Sequence, residues 1–551
     1  MDKKILEEIS IENLMNQVKA ISQYERLSGS DEEWKAFLHQ RDVLEKYGYT
    51  VRLEKHDAYI SLPISSDLSI NGVHFKSQTH SMSIDTGDDY IKGELYYLSD
   101  IDIKNGKFEW CKDKIVAFIG RPAYPLVSKI EKSGALGIIG MQYDPLREAI
   151  PSGAWGSPTR ESEKLIPRIP IISVGEKDGE KIRVIIKKGS AIAEIKTKVD
   201  SGWRKIPSLT AEIKAPAPTE NFVMFTGHMD SWYFGATDNG TVNSAQLEIA
   251  RIVATHRDKI KHNFRIVNFS GHSHGRYAGS AWYFLNYWEE LHRHCILNVN
   301  ADTIGGKKAM DLTRSLIMPE TKPVAVDIIK RQTRVQFKGI RCARVADQSF
   351  WPCGVSSAFA SFSKQVHHKR TDGTDYLDKW NADLGWWWHT PQDTIDIIDP
   401  QNYLRDVKIF LEYIWTFLEQ SVPPLHFEKT AEAIEKAIRN WADKAGDRFD
   451  LKRSIHLSEE LTRISSLKNN KLGEGKLLAV GRILVPLYFT TGNIFHNDDA
   501  LKYPEVPALM KIDDLLKTEE GSSQSYEIKT ELMEKVNYVN DSLYRAIKLY
   551  E

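Results

Sequence analysis

Short apolar runs alternate with amphipathic helical patterns between residues 201 and 420 of the chain. The runs FVMFTGH, FRIVNFSGH and ILNVNAD are typical of buried strands, and VNSAQLEIARIVATH and GSAWYFLNYWEEL have helical periodicity. Strands that alternate with helices indicate a mainly parallel sheet with helices on its faces. We therefore expect an α/β fold in this region.

The pattern changes on both sides of this region. Residues 1–60 read as helices and then an extended segment, with an amphipathic N-terminus, MDKKILEEISIENLMNQ, and a capping-type helix start in SGSDEE. In residues 61–200 the β-rich runs KIVAFIG and IPIISVG bracket a predicted helix, LVSKIEKSGALGIIG, which indicates a compact α/β insert. Residues 421–551 have charged, helix-period segments and predict a helical domain. We expect 1–60 to join 201–420 in one α/β domain.

Composition limits the function classes. A chain of 551 residues is too long for one core. Apolar residues make up 41% and charged residues 27%, which is ordinary for a folded soluble protein. The formal net charge of −1 provides no global field to hold nucleic acid or an anionic membrane. We therefore expect neither as a partner.

Targeting signals and disulfide patterns are not evident. Acidic residues interrupt the N-terminal helical pattern before a signal-peptide core could form, and nowhere do eighteen apolar residues run together. The four cysteines are scattered without CxxC or scaffold spacing. A cytoplasmic location is therefore expected.

Polar residues with metal-ligand chemistry follow the predicted strands. His228, Asp230 and Asp238 come after FVMFT, Asp302 ends ILNVNAD, and His389 lies in the loop WWWHTPQDT. In parallel α/β sheets the carboxyl ends of strands form the ligand-binding crevice. Imidazoles and carboxylates that converge there are the usual ligands of Zn²⁺ and similar ions. The HxD spacing also lets the Asp230 carboxylate fix the tautomer of His228.

This block resembles the co-catalytic zinc aminopeptidase and glutamate carboxypeptidase family of metallopeptidases. The resemblance rests on GHMDS, ATDNGTVNSAQLEIAR, NADTIG and HTPQD, which occur in the family's order. Residues 61–200 resemble the family's protease-associated insert. The C-terminal region resembles the dimerisation domain of glutamate carboxypeptidase II and transferrin receptor, which implies a homodimer.

The resemblance implies a role for each of the four retained positions. His228, Asp238 and Asp302 would hold one metal ion, and Asp238 would bridge to a second ion that His389 also holds. We expect a divalent metal, zinc first, with manganese or iron as alternatives, in one or two ions per chain.

One departure from the family concerns the turn GHSHGRYAGS. The family places two adjacent glutamates there, the first as general base and the second as a metal ligand, and this chain has neither. Counting forward from the strand aligns His272 with the base and Ser273 with the ligand, whereas counting back from GS aligns Ser273 and His274. Imidazole can perform either task. We favour His272 as the replacement, with His274 next. Alternatively, the histidines only hydrogen-bond the turn.

A second departure lies in ADQSFWPCG, where the family often has a serine-aspartate-histidine triplet. Asp347 is present but Gln348 replaces the histidine, which leaves the substrate contacts there undefined. The aromatic residues Trp386, Trp387 and Trp388 either pack under the metal loop or line a pocket for an apolar or aromatic substrate.

Two functions follow from these features. The first is a metal-dependent hydrolase of a small amide or peptide, in which the metal polarises the carbonyl and activates water, and a histidine replaces the glutamate. The second is a catalytically inactive, dimeric binding protein similar to transferrin receptor. Retention of His228, Asp238, Asp302 and His389 favours the hydrolase, since a decayed site has no physical reason to keep four convergent ligands.

Overall fold

The computed structural model of the protein describes residues 3–366 and 382–551. The helices are α1 Lys3–Glu7, α2 Ile11–Ile21, α3 Asp31–Lys46, α4 Asp100–Asn105, α5 Tyr124–Lys132, α6 Glu176–Lys187, α7 Thr241–Thr255, α8 Ala278–Asn286, α9 Trp288–His294, α10 Lys322–Thr333, α11 Pro400–Glu419, α12 Phe427–Ala445, α13 Lys452–Lys468, α14 Glu474–Phe489, α15 Ile512–Leu515 and α16 Ser523–Tyr550. The strands are β1 Thr50–Ile70, β2 Val73–Phe75, β3 Ser77–Thr79, β4 Ile91–Tyr97, β5 Lys114–Ile119, β6 Gly137–Met141, β7 Ile171–Val174, β8 Ile192–Ile213, β9 Phe222–His228, β10 Asn263–Phe269, β11 Cys295–Asn300, β12 Leu316–Ile317, β13 Ile340–Arg341 and β14 Ser356–Ala358.

A single mixed sheet contains the fourteen strands of the described residues, in the order β13-β12-β14-β11-β9-β10-β8-β4-β5-β6-β7-β3, with β1 paired to β8 and β2 to β1. Strands β14, β11, β9 and β10 run parallel, and so do β4 to β7. The predicted mainly parallel sheet flanked by helices is confirmed.

The central strands are buried on both faces. In β9, Val223 and Phe225 pack into the core that contains α2, α7 and α11. Phe222 and Met224 pack on the other face against α8 and α9. Because successive side chains of a strand point to opposite faces, a strand covered on both sides must be apolar throughout. This explains the continuous run FVMF, which ends at the site.

Two long antiparallel strands connect the halves of the sheet. β1 has 21 residues and β8 has 22, and β8 pairs with β10 towards one end and with β4 towards the other. The proposed boundaries near residues 60 and 200 lie inside these two strands. The insert therefore continues the same sheet, and its division into a separate domain stays a prediction.

Three segments that were expected to be single helices are interrupted. The N-terminal pattern is divided by Ser10, whose side chain caps α2 by accepting from the backbone N–H of Asn13. GSAWYFLNYWEEL leaves the helical backbone at Tyr287 and forms α8 and α9. The helix predicted over LVSKIEKSGALGIIG is wrong in its second half, since it ends at Lys132 and GIIGM forms β6. Gly134, with φ of +89°, supplies the left-handed backbone after that helix.

The C-terminal region is helical, as predicted, and its core is continuous with that of the α/β region. Arg482 of α14 is an anchor between the two. Its guanidinium donates to the carbonyls of His292, Gly354 and Cys295. Gly354 allows this close approach, because a Cβ there would lie 2.4 Å from the Arg482 Cα. None of the described helices combines the length and apolar character that crossing a membrane requires.

Candidate active site

Polar side chains from separate segments meet at the carboxyl ends of β9, β10 and β11. His228 is the last residue of β9, His272 follows β10 and Asp302 follows β11. Asp238 lies in the turn that precedes α7, and His389 lies in a loop before α11. The parallel strands end at one edge of the sheet, which places these side chains together.

His228 is buried and oriented by the backbone. Its Nδ1 donates to the carbonyl of Asp230 at 2.8 Å, which leaves Nε2 at 3.0 Å from Asp238 Oδ1 and 3.8 Å from Asp302 Oδ1. The Asp230 carboxylate, which was expected to fix the tautomer, is 3.8 Å from Nδ1, so the backbone carbonyl makes this bond instead. Burial disfavours the charged ring, but the carboxylates of Asp238 and Asp302 outweigh it and raise the pKa of His228 well above its usual value. The site therefore stabilises positive charge.

Asp238 lies between two imidazoles. Its Oδ1 faces His228, and its Oδ2 is 3.3 Å from Nε2 of His389. The buried carboxylate of Asp393 holds the turn by accepting from the backbone N–H of Thr237 at 2.9 Å and that of Asp238 at 3.0 Å. Burial would raise the pKa of Asp238, but the two histidines lower it well below its usual value. Asp238 is thus positioned to bridge two sides of the centre.

His272 is held against the same centre by a second carboxylate. Its Nδ1 is 2.9 Å from Oδ2 of the buried Asp347, and its Nε2 is 3.8 Å from Oδ2 of Asp302. Its ring stacks on that of His228 with centroids 3.8 Å apart. Because an ionised carboxylate only accepts, Nδ1 of His272 is the donor in this bond, and Nε2 is the nitrogen left to bind a metal ion.

The donor set fits a divalent metal ion. One ligand atom from each of His228, His272 and Asp302 lies within 4.8 Å of the others. His228 Nε2 and Asp238 Oδ1 are buried and lie 3.0 Å apart, but their geometry does not form a hydrogen bond, and neither atom has another hydrogen-bond partner among the described residues. Buried polar atoms are nearly always satisfied. Imidazole and carboxylate donors in this combination suit zinc, manganese or iron.

The remaining polar residues of the turn lie outside this group. Ser273 donates its backbone N–H to Oδ2 of Asp230 at 2.9 Å. The Nδ1 of His274 is 2.9 Å from Oγ of Ser28, which in turn donates to Asp230 at 2.7 Å. Burial lowers the pKa of His274 to about 4, and its ring lies 4.2 Å from that of Trp232. Of His272, Ser273 and His274, only His272 belongs to the group of metal-type donors found among the described residues.

The loop of His389 is fixed by the insert. Nδ1 of His389 donates to the carbonyl of Glu148 at 3.1 Å, and the Glu148 N–H donates back to the His389 carbonyl. Trp388 stacks on the His389 ring at 3.5 Å and lines the adjacent cavity. Trp387 is buried and donates to Oγ1 of Thr237 at 3.1 Å, whereas Trp386 is exposed. Trp387 therefore packs under the metal loop, whereas Trp388 lines a pocket.

A cavity of about 360 Å³ opens beside the donors. His272, Asp302 and His389 lie at its border, and most of its wall is apolar, including Pro122, Tyr124, Ile150, Tyr277, Val345 and Trp388. Arg121 and Arg276 also line it. No carboxylate of the described residues is in ion-pair distance of either guanidinium, and burial together with the charges of Arg147 and Arg276 lowers the pKa of Arg121 to about 10.

Three supporting residues were not assigned these roles from sequence. From the sequence, Asp347 is only the remaining aspartate of the family's serine-aspartate-histidine triplet. Asp393 is only the last residue of the motif HTPQD. Glu148 carries no sequence signal, since it contacts His389 across 241 positions of the chain. The aspartate that remains from the family's serine-aspartate-histidine triplet is the only sequence cue that could have identified Asp347.

The fold is that of a zinc-exopeptidase-like α/β protein, and the donor set is a candidate metal centre of histidines and carboxylates. Residues 208–414 match the model described as peptidase family M28, so this part of the chain is similar to that family of metal-dependent peptide hydrolases. The expected resemblance to zinc-dependent peptidases and the expected enzyme class are confirmed for this region. The family match does not test the atypical turn or the individual site residues.

Solved structures share the fold at low sequence identity. An aminopeptidase from Aneurinibacillus sp. strain AM-1 is 20% identical, with a TM-score of 0.57 over 76% of this chain and 96% of the other. A zinc aminopeptidase from Bacillus subtilis is 18% identical, with a TM-score of 0.58 over 76% and 98%. A peptidase M28 precursor from Shewanella amazonensis SB2B is 18% identical, with a TM-score of 0.59 over 77% and 97%. Comparison with curated protein sequences gives no match.

Proposed function

We propose that the protein is a metal-dependent hydrolase of a peptide or other amide bond, with His272 as a metal ligand in place of the family's glutamate. The observation that carries this is the grouping of ligand atoms from His228, His272 and Asp302 within 4.8 Å, beside a cavity of about 360 Å³. When bound, the metal supplies Lewis-acid polarisation of a carbonyl and activation of water.

The chain's own residues would divide the remaining tasks. His228, His272 and Asp302 hold the ion, and Asp238 adds a carboxylate that reaches towards His389. Among the described residues only the first three form a group of three or more metal-type donors. We therefore propose one tightly held ion, with the Asp238 and His389 side as a weaker position. Zinc is our first choice because a neighbour of the same fold is named a zinc aminopeptidase, and manganese and iron are the alternatives.

The cavity supports a substrate with an apolar body and an anionic group. Its wall is mainly apolar, which favours aliphatic or aromatic side chains. Arg121 and Arg276 offer guanidinium groups without carboxylate partners among the described residues, and these groups suit bidentate binding of a carboxylate. Asp383, which also lines the cavity, is neutralised by Lys364 at 2.8 Å. We propose a small peptide or N-acyl amino acid with a free carboxylate.

The alternative is a binding protein that has lost catalysis. It is favoured by the lining of the cavity, which contains no glutamate among the described residues that could replace the family's general base. In that case the cavity would hold its ligand without cleaving it.

One experiment separates these functions. Protein purified without chelator is analysed for metals, and the reloaded enzyme is assayed on N-acyl amino acids and dipeptides in their acid and amidated forms. The hydrolase proposal expects about one equivalent of zinc, manganese or iron and metal-dependent cleavage, faster for the acids. A well-folded, metal-free protein would refute it. A metal-loaded protein that binds these compounds without cleaving them would support the binding protein.

The cellular location is a further proposal. All four cysteines are free and buried, which supports a reducing compartment such as the cytoplasm. Mass spectrometry after thiol alkylation of the protein in intact cells tests this, because disulfide-linked cysteines would contradict it.

A further inference from the structure

A second cavity of about 300 Å³ lies behind the catalytic one. It is lined by three tryptophans from different segments: Trp155 from the loop after β6, Trp203 from β8 and Trp282 from α8. The Trp155 ring packs against that of Tyr277 in a tilted arrangement, with centroids 4.4 Å apart, and Tyr277 lines the cavity beside the metal-type donors. This pair of rings is therefore part of a wall between two separate cavities. Nothing in the proposed hydrolysis uses the second one.

Two of the tryptophans have ring surface available to a ligand. One face of Trp282 is covered by His56, whose ring is parallel to it at 4.0 Å, so the opposite face is left for the cavity. Trp203 is 60% exposed and touches Tyr59 only edge-on, at 6.1 Å. His56 does not supply a cation to Trp282, because burial lowers its pKa to about 4 and the ring is neutral at pH 7.

The third tryptophan, Trp155, already has a cation against its indole ring. The guanidinium of Arg344 lies 4.2 Å from the centroid of the Trp155 ring, and Nε1 of Trp155 donates to Oγ of Ser349 at 2.8 Å. The electron-rich face of an indole attracts cations electrostatically. The protein thus uses this contact within the wall of the same cavity.

The polar lining is acidic. Asp57 and Asp499 line the cavity, and none of the described lining residues is a lysine or arginine. Asp57 is paired with Lys205 at 2.9 Å. Asp499, about half buried, has no hydrogen-bond or ion-pair partner for its carboxylate among the described residues. Burial and Asp498 raise its pKa and outweigh the opposing effects of His496, Arg344 and Lys164. A half-buried carboxylate beside aromatic faces is best satisfied by a cation.

We propose that this cavity binds a small organic cation, an ammonium group with alkyl or aromatic substituents, between Trp203 and Trp282 and against the carboxylate of Asp499. Indole faces, an unpaired carboxylate and a volume of about 300 Å³ match such a ligand in shape and in charge. Since Asp499 belongs to the C-terminal region and Trp203 to β8, the site exists only when these parts of the chain are packed together.

Calorimetric titration with choline tests the proposal, because its uncharged isostere 3,3-dimethyl-1-butanol has the same shape. We expect choline to bind at least about tenfold more tightly than the isostere, in metal-free as well as metal-loaded protein. Equal affinity of the two compounds, or no binding of choline at millimolar concentration, would overturn the proposal. Binding of the neutral disaccharide cellobiose in preference to choline would also overturn it and assign the cavity to a sugar.

Two variants locate the binding. Trp203→Ala and Asp499→Asn should each weaken choline binding about tenfold or more. The fold should persist in both, because Trp203 is 60% exposed and Asp499→Asn keeps the size of a half-buried side chain. Trp110→Ala is the matched control, because Trp110 is 64% exposed on the insert and remote in sequence from every lining residue. Unchanged choline affinity in both site variants, with thermal unfolding like that of the parent, would place the binding elsewhere and refute the proposal.

Discussion

The carboxylate of Asp347 receives a hydrogen bond from Nδ1 of His272 at 2.9 Å, and both residues are buried beside the metal-type donors. This bond leaves the Nε2 lone pair of His272 available on the side of Asp302, whose Oδ2 is 3.8 Å away. Carboxylates in this position orient a ligating histidine and increase its basicity. We propose that this pair, from two segments, takes over the role that a glutamate has in the family.

Removal of Asp347 should weaken metal binding without removing a ligand. We expect Asp347→Ala to lower metal affinity about 10- to 100-fold, measured by competition with a fluorescent chelator. Asp347→Asn should lie in between, because its amide oxygen can still accept from Nδ1. Asp327→Asn, which alters an exposed aspartate of α10, serves as the control. If Asp347→Ala binds metal as tightly as the parent protein does, the pair has no part in holding the ion.

The two histidines of the turn should respond differently to substitution. His272→Ala should lower metal occupancy, since His272 is part of the donor group. His274→Ala should leave occupancy unchanged, because its Nδ1 faces Ser28. Metal content after dialysis and turnover are measured on both variants. If His272→Ala keeps its metal and slows turnover about 10²- to 10⁴-fold, the residue acts as a general base and not as a ligand.

The site residues that directly follow a predicted strand could be identified from the sequence. His228 and Asp302 come immediately after apolar runs, so their convergence follows from a parallel sheet. Asp347 and His272 are separated by 75 positions, and nothing local marks their contact. The bond between His228 and the backbone of Asp230 was also inaccessible, because only coordinates distinguish a carbonyl from a carboxylate at that spacing.

The fold was predictable to a similar extent. Strands buried on both faces, such as β9 and β10, produce uninterrupted apolar runs. The run GIIG was assigned to a helix because periodicity alone does not separate a short buried strand from a helix. The lengths of β1 and β8 could not be predicted from the sequence. Their buried and exposed positions do not alternate regularly along 21 and 22 residues, so no period-two hydrophobic pattern marks them.

Arg482 should be essential for docking the C-terminal helices. Its guanidinium satisfies three backbone carbonyls of the α/β region. Arg482→Met keeps much of the side-chain volume but leaves these carbonyls unpaired, so we expect a loss of about 2–4 kcal/mol in the free energy of unfolding. Urea unfolding measures it. Arg463→Met, on α13 and outside these contacts, is the control, and equal stability of the two variants would contradict an anchoring role.

His56 should make the protein less stable in mild acid. Burial lowers its folded-state pKa to about 4, against the opposing effects of Asp57 and Glu54, while the unfolded value is near 6.5. As the pH falls, the unfolded chain therefore binds the proton first, and stability present above about pH 6.5 is lost down to about pH 4. Between pH 7 and pH 5, we expect the free energy of unfolding to fall by about 1–2 kcal/mol less in His56→Phe than in the parent protein. Identical pH profiles in urea unfolding would show that His56 titrates normally.

A homodimer remains a prediction, and the structure indicates which helix would form it. α14, in the segment that resembles a dimerisation domain, is buried within the chain along most of its length, so it cannot be the contact surface. Tyr526, Met533 and Tyr544 of α16 are 61%, 54% and 49% exposed. Their spacings of 7 and 11 residues place them on one face of this helix. Such an apolar stripe can pair with the same stripe of a second copy about a two-fold axis.

Light scattering at micromolar concentration should therefore give twice the chain mass of 63.0 kDa. Met533→Glu, at the centre of the stripe, should shift the protein to a monomer, because two like charges would face each other across the axis. Val184→Glu is the control, since Val184 is 50% exposed on α6 of the insert. A monomeric parent protein would refute the dimer, and a dimer that persists in Met533→Glu would show that another surface forms it.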